Sequence, residues 1–142
     1  MRDQPARRTL AAYPWSAEIQ TRFGDMDFNA HLNNVAVAQL YEEGRVRFNH
    51  WLRQKSGVGR PRFLVARVEI DYLGEARYPA PVVLTAAALH TGRTSWRIGL
   101  GLFQGDACLG LCDTVMVHRG EAGPAPIPDP LRAALGEAAL RA

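Results

Sequence analysis

A short polar segment, Arg22–Asn34, concentrates the side chains that could do chemistry. Asp25, Asp27 and Asn29 alternate along it, and His31 follows two residues later. Carboxylates near an imidazole are groups that enzymes use for general acid–base catalysis, for nucleophilic attack or for metal binding. The segment is therefore the first candidate for a functional site.

Two metal-binding interpretations of this segment fail because ligands are missing. Its first acidic and amide residues match the start of a calcium-binding EF-hand loop. However, Ala30 stands where that loop needs glycine, and Ala36 stands where it needs a bidentate glutamate. A transition-metal site would use Asp25, Asp27 and His31, yet no second histidine or cysteine lies nearby. We therefore expect no metal at this segment.

The third interpretation is metal-free catalysis at the start of a helix. Asn33 or Asn34 can cap a helix whose first backbone N–H groups have no partner within the helix. Asp27 lies just before those N–H groups in the sequence. It would supply a base next to donors that can stabilise a carbonyl oxygen as it becomes negative. Spacing alone nevertheless favours a simpler interpretation, in which Asp27 and its neighbours are turn formers and caps.

The remainder of the chain predicts one long helix and five strands. Apolar residues at spacings of three and four indicate a helix of about 20 residues that ends near Ser56 and Gly57. They are Val37, Leu40, Tyr41, Gly44, Phe48, Trp51 and Leu52. Elsewhere a period of two predicts strands. These lie at 18–23, 64–72, 82–90, 96–102 and 107–118.

The simplest way to bury the apolar faces of these elements is an α+β fold in which a curved antiparallel sheet of about five strands wraps around the helix. In strand 64–72, alternate residues from Leu64 to Tyr72 are expected to form one apolar face. Gly99 and Gly101 leave one face of their strand bare, so we expect that face or a sheet edge to be a dimer contact.

Length and composition place the chain among ordinary globular proteins. It has 142 residues, of which 47% are hydrophobic and 22% charged, and a chain of this length can bury a core. We expect a single domain over residues 1–142. An N-terminal extension would occupy residues 1–15, and a proline-rich segment with a short helix would occupy 124–142.

Several broad classes are not expected for this chain. No apolar stretch approaches the roughly 18 residues of a membrane span, and the beginning does not match a secretory signal. The net charge of +3 comes from scattered arginines, which does not indicate nucleic-acid binding. Cys108 and Cys112 would lie roughly 13 Å apart in a strand, too far for a disulfide. A cytoplasmic enzyme or binding domain is the expectation.

Several stretches together resemble one enzyme family. The segment from Asp27 to Asn34 (Asp-Phe-Asn-Ala-His-Leu-Asn-Asn) is followed by Tyr-Glu-Glu-Gly-Arg at 41–45. The pair is similar to the signature of hot-dog-fold acyl-CoA thioesterases of the 4-hydroxybenzoyl-CoA thioesterase type. The similarity continues at 65–73, 76–78, 92–95 and 127–132, so it covers nearly the whole chain. Ala30 and Gly44 depart from the motif, which usually has glycine and alanine there.

The resemblance implies the hot-dog fold and hydrolysis of an acyl-CoA thioester without a cofactor. Asp27 would act as general base or as nucleophile, and the backbone N–H near Asn34 would polarise the thioester carbonyl. His31 and Asn33 would line the site or hold its loop. Some relatives use a glutamate on the long helix instead. Glu42 and Glu43 both lie in that part of the helix, and Glu43 is the second candidate.

Substrate-binding residues and partners follow from the same resemblance. The phosphates of CoA need cations, and Arg60 and Arg93 are candidates, with Thr94 beside the second. Val35, Phe63 and Trp15 would line the acyl pocket. The family implies a homodimer or a dimer of dimers, in which each active site borrows residues from the partner.

Two other functions stay open for such a chain. One is a hot-dog acyl-CoA hydratase or dehydratase, which would pair an aspartate with a histidine, here Asp27 with His31. The other is a non-catalytic module that binds acyl-CoA or an acyl-carrier protein.

Overall fold

A computed structural model of residues 1–142 consists of two helices and an antiparallel sheet, and it has the α+β hot-dog architecture. The helices are α1 (Asn34–Ser56) and α2 (Asp129–Glu137). The strands are β1 (Trp15–Ile19), β2 (Phe63–Tyr72), β3 (Val82–Thr91), β4 (Ser95–Gln104), β5 (Ala107–Gly120) and β6 (Gly123–Pro124).

The five main strands form one curved sheet in the order β1-β3-β4-β5-β2, and every neighbouring pair is antiparallel. The two-residue strand β6 pairs only with the end of β5. Strands β1 and β2 therefore lie at the two edges. The edge of β2 that faces away from β5 has no partner strand.

Helix α1 packs its apolar face onto the concave side of the sheet, as its spacing predicts. Tyr41, Phe48 and Leu52 are all almost completely buried in the main core. Gly44 marks the closest approach to the sheet, since a Cβ there would lie 3.2 Å from the Leu100 side chain. A small residue at this point therefore lets the helix settle against the central strands.

The ends of α1 have clear local causes. Asn33 is the N-cap, and its side chain accepts a hydrogen bond of 2.8 Å from the Ala36 N–H. Gly57 ends the helix with a φ of 65°, a left-handed conformation that glycine adopts without steric cost. The helix spans 23 residues, close to the expected length.

Strand β1 begins and ends earlier than expected. It runs from Trp15 to Ile19 instead of 18–23, and Phe23–Asp25 forms a short 3₁₀ turn. Along β1, alternate residues are partly buried, and Trp15 packs edge-on against Phe48 with ring centroids 6.1 Å apart. This alternation is present in the sequence before residue 18. Pairing with β3 then decides which residues form the strand.

The prediction of one apolar face along 64–72 is wrong. A β-bulge at Ala66 inserts one extra residue in β2 opposite β5. Because successive side chains alternate between faces, the extra residue moves Leu64 to the opposite face from Val68. Val68, Ile70 and Tyr72 remain on the concave side with the helix, opposite Thr114, Cys112 and Gly110 of β5.

The bare glycine face is not free to form a dimer contact, which corrects the expectation for Gly99 and Gly101. The N-terminal extension covers it. Arg7 is 1% exposed and lies so close to Gly99 that a Cβ there would be 2.6 Å from its guanidinium carbon. Tyr13 packs edge-on against Phe103 beside Gly101. Of the two surfaces considered for a dimer contact, only a sheet edge is left.

The guanidinium of Arg7 is held by several groups on this outer face. Its Nη1 donates to Asp113 Oδ1 at 2.7 Å, and its Nε donates to the Tyr13 hydroxyl at 3.1 Å. Its Nη2 donates to the backbone carbonyls of Leu100 and Cys112 at 3.4 and 3.3 Å. These bonds compensate the cost of burying the charge.

Two other features concern the thiols and the helices. Cys108 and Cys112 are both free, and burial raises the pKa of Cys112 to about 11. Neither helix is both long enough and apolar enough to cross a bilayer.

Replacing Arg7 tests how much its contacts stabilise the fold. We expect Arg7→Ala to lower the free energy of unfolding by about 3 kcal/mol, because it leaves the Asp113 carboxylate without its buried partner. Urea denaturation followed by circular dichroism measures the change. Arg8→Ala is the matched control, since Arg8 is exposed and makes no ion pair, and it should shift stability by less than about 0.5 kcal/mol. If the two variants lowered the free energy of unfolding equally, the stabilising role given to the Arg7 contacts would be wrong.

Candidate functional site

Hydrogen bonds connect the loop before α1 to the start of the helix. The backbone N–H and the side-chain amide of Asn33 both donate to the Asp25 carbonyl oxygen, each at 3.0 Å. The Asp25 carboxylate in turn accepts from the backbone and the guanidinium of Arg22. The hydrogen bond from the Arg22 side chain is the main reason that the pKa of Asp25 is lowered. The helix N-terminus and the loop therefore form one unit.

Asp27 is fixed within this loop by backbone contacts. Its N–H donates to the His31 carbonyl at 2.8 Å. Its Oδ1 accepts from the N–H groups of Asn29 and His31, at 2.9 and 3.2 Å. Its Oδ2 has no hydrogen-bond partner in the chain. One carboxylate oxygen thus holds the loop, and the other is free for a ligand.

Ala30 closes the turn around Asp27 in an uncommon conformation. Its φ is 61°, in the left-handed region, which costs a residue with a side chain roughly 1–2 kcal/mol. This explains why glycine is usual at this place in the motif. Strain of this kind persists only where the surroundings impose it, and here the hydrogen bonds to Asp27 do so.

A cavity of about 340 Å³ opens beside Asp27. Its polar lining consists of Asp27, His31, Asn34, Tyr72 and Glu75, and its apolar lining comes from Leu32, Val37, Ala76, Leu102 and Leu109, with Gly74 between them. The lining thus joins the loop, the first turn of α1, the end of β2 and the β4–β5 hairpin. It has a polar mouth and an apolar floor.

The first turn of α1 presents two free donors near this cavity. The N–H of Asn33 and that of Ala36 are used by the loop and the cap. The N–H groups of Asn34 and Val35 have no acceptor in the chain. They lie at the positive end of the helix dipole, where a developing negative charge is stabilised.

His31 does not face Asp27 with its ring. Its Nε2 lies 3.2 Å from Glu75 Oε2, and its hydrogen bonds with Asp27 are made by its backbone N–H and carbonyl. The Tyr72 hydroxyl, which also belongs to the cavity lining, donates to the Asn34 carbonyl at 3.3 Å. Glu75 and Tyr72 therefore join the predicted residues of the site as neighbours that the sequence did not single out.

The structure brings some predicted site residues together and separates others. Asp27, His31 and Asn34 line one cavity, and Asn33 anchors it. Glu43 lies about 13 Å further along the helix axis, where its carboxylate pairs with Arg47 at 2.7 Å. It does not line the Asp27 cavity.

The predicted substrate-binding residues lie elsewhere in the chain. Val35 is 69% exposed and faces a different groove. Phe63 packs against Trp96 at the opposite end of β2, near Arg60. Arg93 and Thr94 precede β4 at that same end. A ten-residue strand separates this end from Asp27 by about 30 Å.

A second groove, of about 270 Å³, runs between α1 and the free-edge strand β2. Val35, Tyr41, Val68 and Ile70 are among its lining residues. The Tyr41 hydroxyl is buried and has no hydrogen-bond partner, and burial raises its pKa well above the ordinary value. The groove is open along the unpaired edge.

Metal-ligand chemistry has no cluster to support it. The chain holds no group of three or more histidine, cysteine, aspartate or glutamate side chains that could bind a metal ion. Asp25 and His31, two of the ligands considered from the sequence, are instead occupied by Arg22 and Glu75.

The fold and this site can be compared with known proteins. The family model of the thioesterase-like superfamily matches residues 21–135. No curated protein sequence matches the chain.

Solved structures similar to this chain come from several bacteria. A thioesterase from Thermus thermophilus, complexed with coenzyme A and Zn, is 25% identical, with a TM-score of 0.75 over 89% of this chain and 94% of its own. A thioesterase superfamily protein from Jannaschia sp. CCS1 is 27% identical, with a TM-score of 0.76 over 92% and 87%. The PA5185 protein from Pseudomonas aeruginosa PAO1 is 25% identical, with a TM-score of 0.78 over 94% and 97%.

The Asn33 cap provides a test of how the loop is held. We expect Asn33→Ala to lower the free energy of unfolding by about 1–2 kcal/mol, because it removes the helix cap together with the bond to Asp25. Asn33→Asp keeps an oxygen for the Ala36 N–H but loses the amide donor, so its loss should be smaller. Urea denaturation of both variants compares them. An Asp variant as unstable as the Ala variant would contradict the cap assignment.

Proposed function

The chain belongs to the thioesterase-like superfamily, and on that premise we propose that it hydrolyses acyl-CoA thioesters to a free acid and CoA. The observation that carries this proposal is a single cavity with an apolar floor whose lining includes both Asp27, with its free Oδ2, and Asn34, with its unpartnered N–H. The relative from Thermus thermophilus that was solved with coenzyme A supports CoA as the carrier of the acyl group.

The proposed chemistry needs a base and an electrophilic clamp. The thioester carbonyl oxygen would accept hydrogen bonds from the N–H of Asn34, which stabilise the negative charge that forms there. Asp27 would either take a proton from the attacking water or attack the carbonyl carbon itself. As a base, Asp27 takes a proton from water, the hydroxide adds to the carbonyl carbon, the C–S bond breaks, and the CoA thiolate receives that proton. As a nucleophile, Asp27 displaces the CoA thiolate and forms an acyl–aspartyl anhydride. Water then hydrolyses the anhydride, which releases the acid, restores the Asp27 carboxylate and supplies the proton for the thiolate. The acyl group would rest on Leu102 and Leu109 at the cavity floor.

Neighbouring residues would position the aspartate. The N–H of His31 holds Asp27 Oδ1, which leaves the other oxygen free for the substrate or for water. Glu75 orients the His31 ring at the mouth of the cavity. Oriented groups of this kind raise rates by holding reactants close to the reactive geometry.

The geometry of the site argues against one of the two rival functions and is compatible with the other. A hydratase that pairs Asp27 with His31 needs their side chains to cooperate, but the His31 ring faces Glu75 instead. A non-catalytic binding module would share the cavity and differ only in turnover. Measuring the free thiol released from a panel of acyl-CoAs distinguishes the proposed thioesterase from both rivals, since only a thioesterase releases CoA.

Asp27→Asn is the first test of the mechanism. We expect it to lower kcat at least a hundred-fold, because the amide cannot act as a base or as a carboxylate nucleophile, while acyl-CoA binding and stability stay close to wild type. Thiol release gives the rate, and calorimetry gives the affinity. Glu43→Gln is the matched control and should keep most activity. The opposite result, with the Glu43 variant inactive and the Asp27 variant active, would move the reaction to the helix.

We also propose that the protein is active as a homodimer joined at the β2 edge. An unpaired edge strand is a site of strand addition that proteins usually cover. On β2, Leu64, Val65, Val68 and Tyr72 are all more than a third exposed. A second copy can cover this strand with a single self-complementary surface.

Light scattering at the assay concentration tests the assembly. We expect the mass of at least two chains, and Val68→Lys should lower that mass and the activity together, because it puts a charge on the apolar edge. Circular dichroism controls for folding. A fully active particle with the mass of one chain would contradict the proposal.

A further inference from the structure

The Tyr41 hydroxyl is a buried polar group that the fold leaves without a partner. Tyr41 is 2% exposed, and its hydroxyl makes no hydrogen bond within the chain. An unpaired buried donor is costly, and native interiors contain few of them. A phenylalanine would fill nearly the same space without this cost. The hydroxyl is therefore a candidate for a contact with a molecule outside the chain.

Strand β5 leaves room for this hydroxyl at Gly110. A Cβ at Gly110 would lie 2.6 Å from the hydroxyl oxygen of Tyr41, a distance at which one of the two atoms must shift. Glycine within a strand often marks a close approach of this kind. A tyrosine on α1 and a glycine on β5 thus together keep an unpaired oxygen in the interior.

The hydroxyl lies close to both the catalytic cavity and the groove beside β2. In the sheet, Gly110 pairs with Tyr72 of β2 and with Leu102 of β4, and both of these residues line the Asp27 cavity. Tyr41 itself lines the groove. The other buried side chains with an unpaired polar atom, those of Thr21, Arg53 and Trp96, line neither space.

The cavity and the groove follow each other along the same two elements. On α1, Asn34 lines the cavity and Val35 lines the groove. On β2, Tyr72 lines the cavity and Ile70 lines the groove. An acyl group whose thioester carbonyl is held at the start of α1 would therefore meet the Tyr41 hydroxyl as it extends from the cavity.

The surroundings of the hydroxyl favour an uncharged oxygen as its partner. Leu102 and Ile70 contribute apolar walls, and burying a charge among them without a counter-ion would be costly. Arg45, which also lines the groove, is already paired with Glu42 at 2.9 Å. Burial raises the pKa of Tyr41, so its hydroxyl stays protonated and can donate.

We propose that Tyr41 selects acyl groups that carry an uncharged oxygen, a hydroxyl or a keto group, a few carbons beyond the thioester. The inference rests on the proposed hydrolase function and names the class of acyl group that the site prefers. The Cα of Tyr41 lies about 10 Å along the helix axis from that of Asn34. Because helical side chains lean towards the N-terminus, the hydroxyl is nearer than this to the thioester carbonyl.

Matched six-carbon substrates test this selectivity. Thiol release is measured for hexanoyl-CoA and for its 3-hydroxy, 3-oxo, 5-hydroxy, 5-oxo and 6-hydroxy derivatives. We expect at least one derivative to have a kcat/KM at least about tenfold above that of hexanoyl-CoA, because the plain chain leaves the hydroxyl unpaired. Tyr41→Phe should remove this advantage and change kcat/KM for hexanoyl-CoA little. A wild type that prefers none of the derivatives, or a variant that keeps the preference, would overturn the proposal.

A matched variant and a charged substrate serve as controls. Tyr78→Phe also removes a tyrosine hydroxyl, from a ring that is 41% exposed and packs against Phe23, and it should keep the wild-type preference. Adipoyl-CoA has six carbons and a terminal carboxylate, and its kcat/KM should not exceed that of hexanoyl-CoA. Loss of the preference in the Tyr78 variant, or a preference of the wild type for adipoyl-CoA, would contradict the role given to Tyr41.

Urea denaturation tests whether the hydroxyl serves the fold instead. Because it has no partner in the chain, Tyr41→Phe should unfold at the same urea concentration as the wild type or at a higher one. A lower midpoint would mean that the hydroxyl is already bonded in the free protein, and the proposal would then be wrong.

Calorimetry distinguishes failure of this proposal from failure of the hydrolase function. It compares Asp27→Asn with the double variant Asp27→Asn, Tyr41→Phe on the same substrates. We expect at least one derivative to bind Asp27→Asn at least about tenfold more tightly than hexanoyl-CoA does, and the second substitution to abolish the difference. If this difference is found but the wild type releases no thiol, the hydrolase function fails and the oxygen site stands. If the wild type hydrolyses acyl-CoAs and the difference is absent, the oxygen site fails alone.

Discussion

The burial of α1 in the concave face of the sheet is the contact on which the other features of this protein depend. It is closest at Gly44, where the helix backbone approaches Leu84 and Leu100 without an intervening side chain. Since a close-packed interior allows little sliding, this contact fixes the position of the helix N-terminus as well. The N–H of Asn34 and the loop of Asp27 are thereby held at one end of the sheet, where β2 and the β4–β5 hairpin supply the remaining walls.

The two faces of the sheet are closed by different means. The helix closes the concave face through apolar burial, which is the dominant favourable term in folding. The N-terminal extension covers the outer face. Its Arg7 and Tyr13 pack next to Gly99 and Gly101, which have no side chains to keep them away. With both faces covered by the chain itself, the edge of β2 and the groove beside it are exposed apolar features that a second copy can cover.

The site combines local and distant parts, and the two differ in how far the sequence predicts them. The turn around Asp27 and the Asn33 cap depend on residues within ten positions, so spacing and side-chain type predict them. Glu75 and Tyr72 reach the same cavity through the path of β2, and Leu102 and Leu109 through the β4–β5 hairpin. No periodicity marks Glu75 as a partner of His31, because their contact depends on two separate loops meeting. Glu43 is the opposite case. Its carboxyl group and its place near the motif suit a catalytic role, but it lies outside the cavity.

The amino-acid sequence by itself determined the long helix, the main strands and the polar loop, because periodic burial and capping act over short distances along the chain. It also carried the family motif, which the match over residues 21–135 supports. The tertiary structure alone decided three things. A bulge at Ala66 changed which side chains of β2 face the helix, because one extra residue inverts the alternation. The glycine face was filled by Arg7, a residue more than 90 positions away from Gly99, and no local pattern encodes such a contact. Finally, the strand order left β2 at an edge with Arg60 and Asp27 at opposite ends, because which strands pair is set by the packing of the whole sheet.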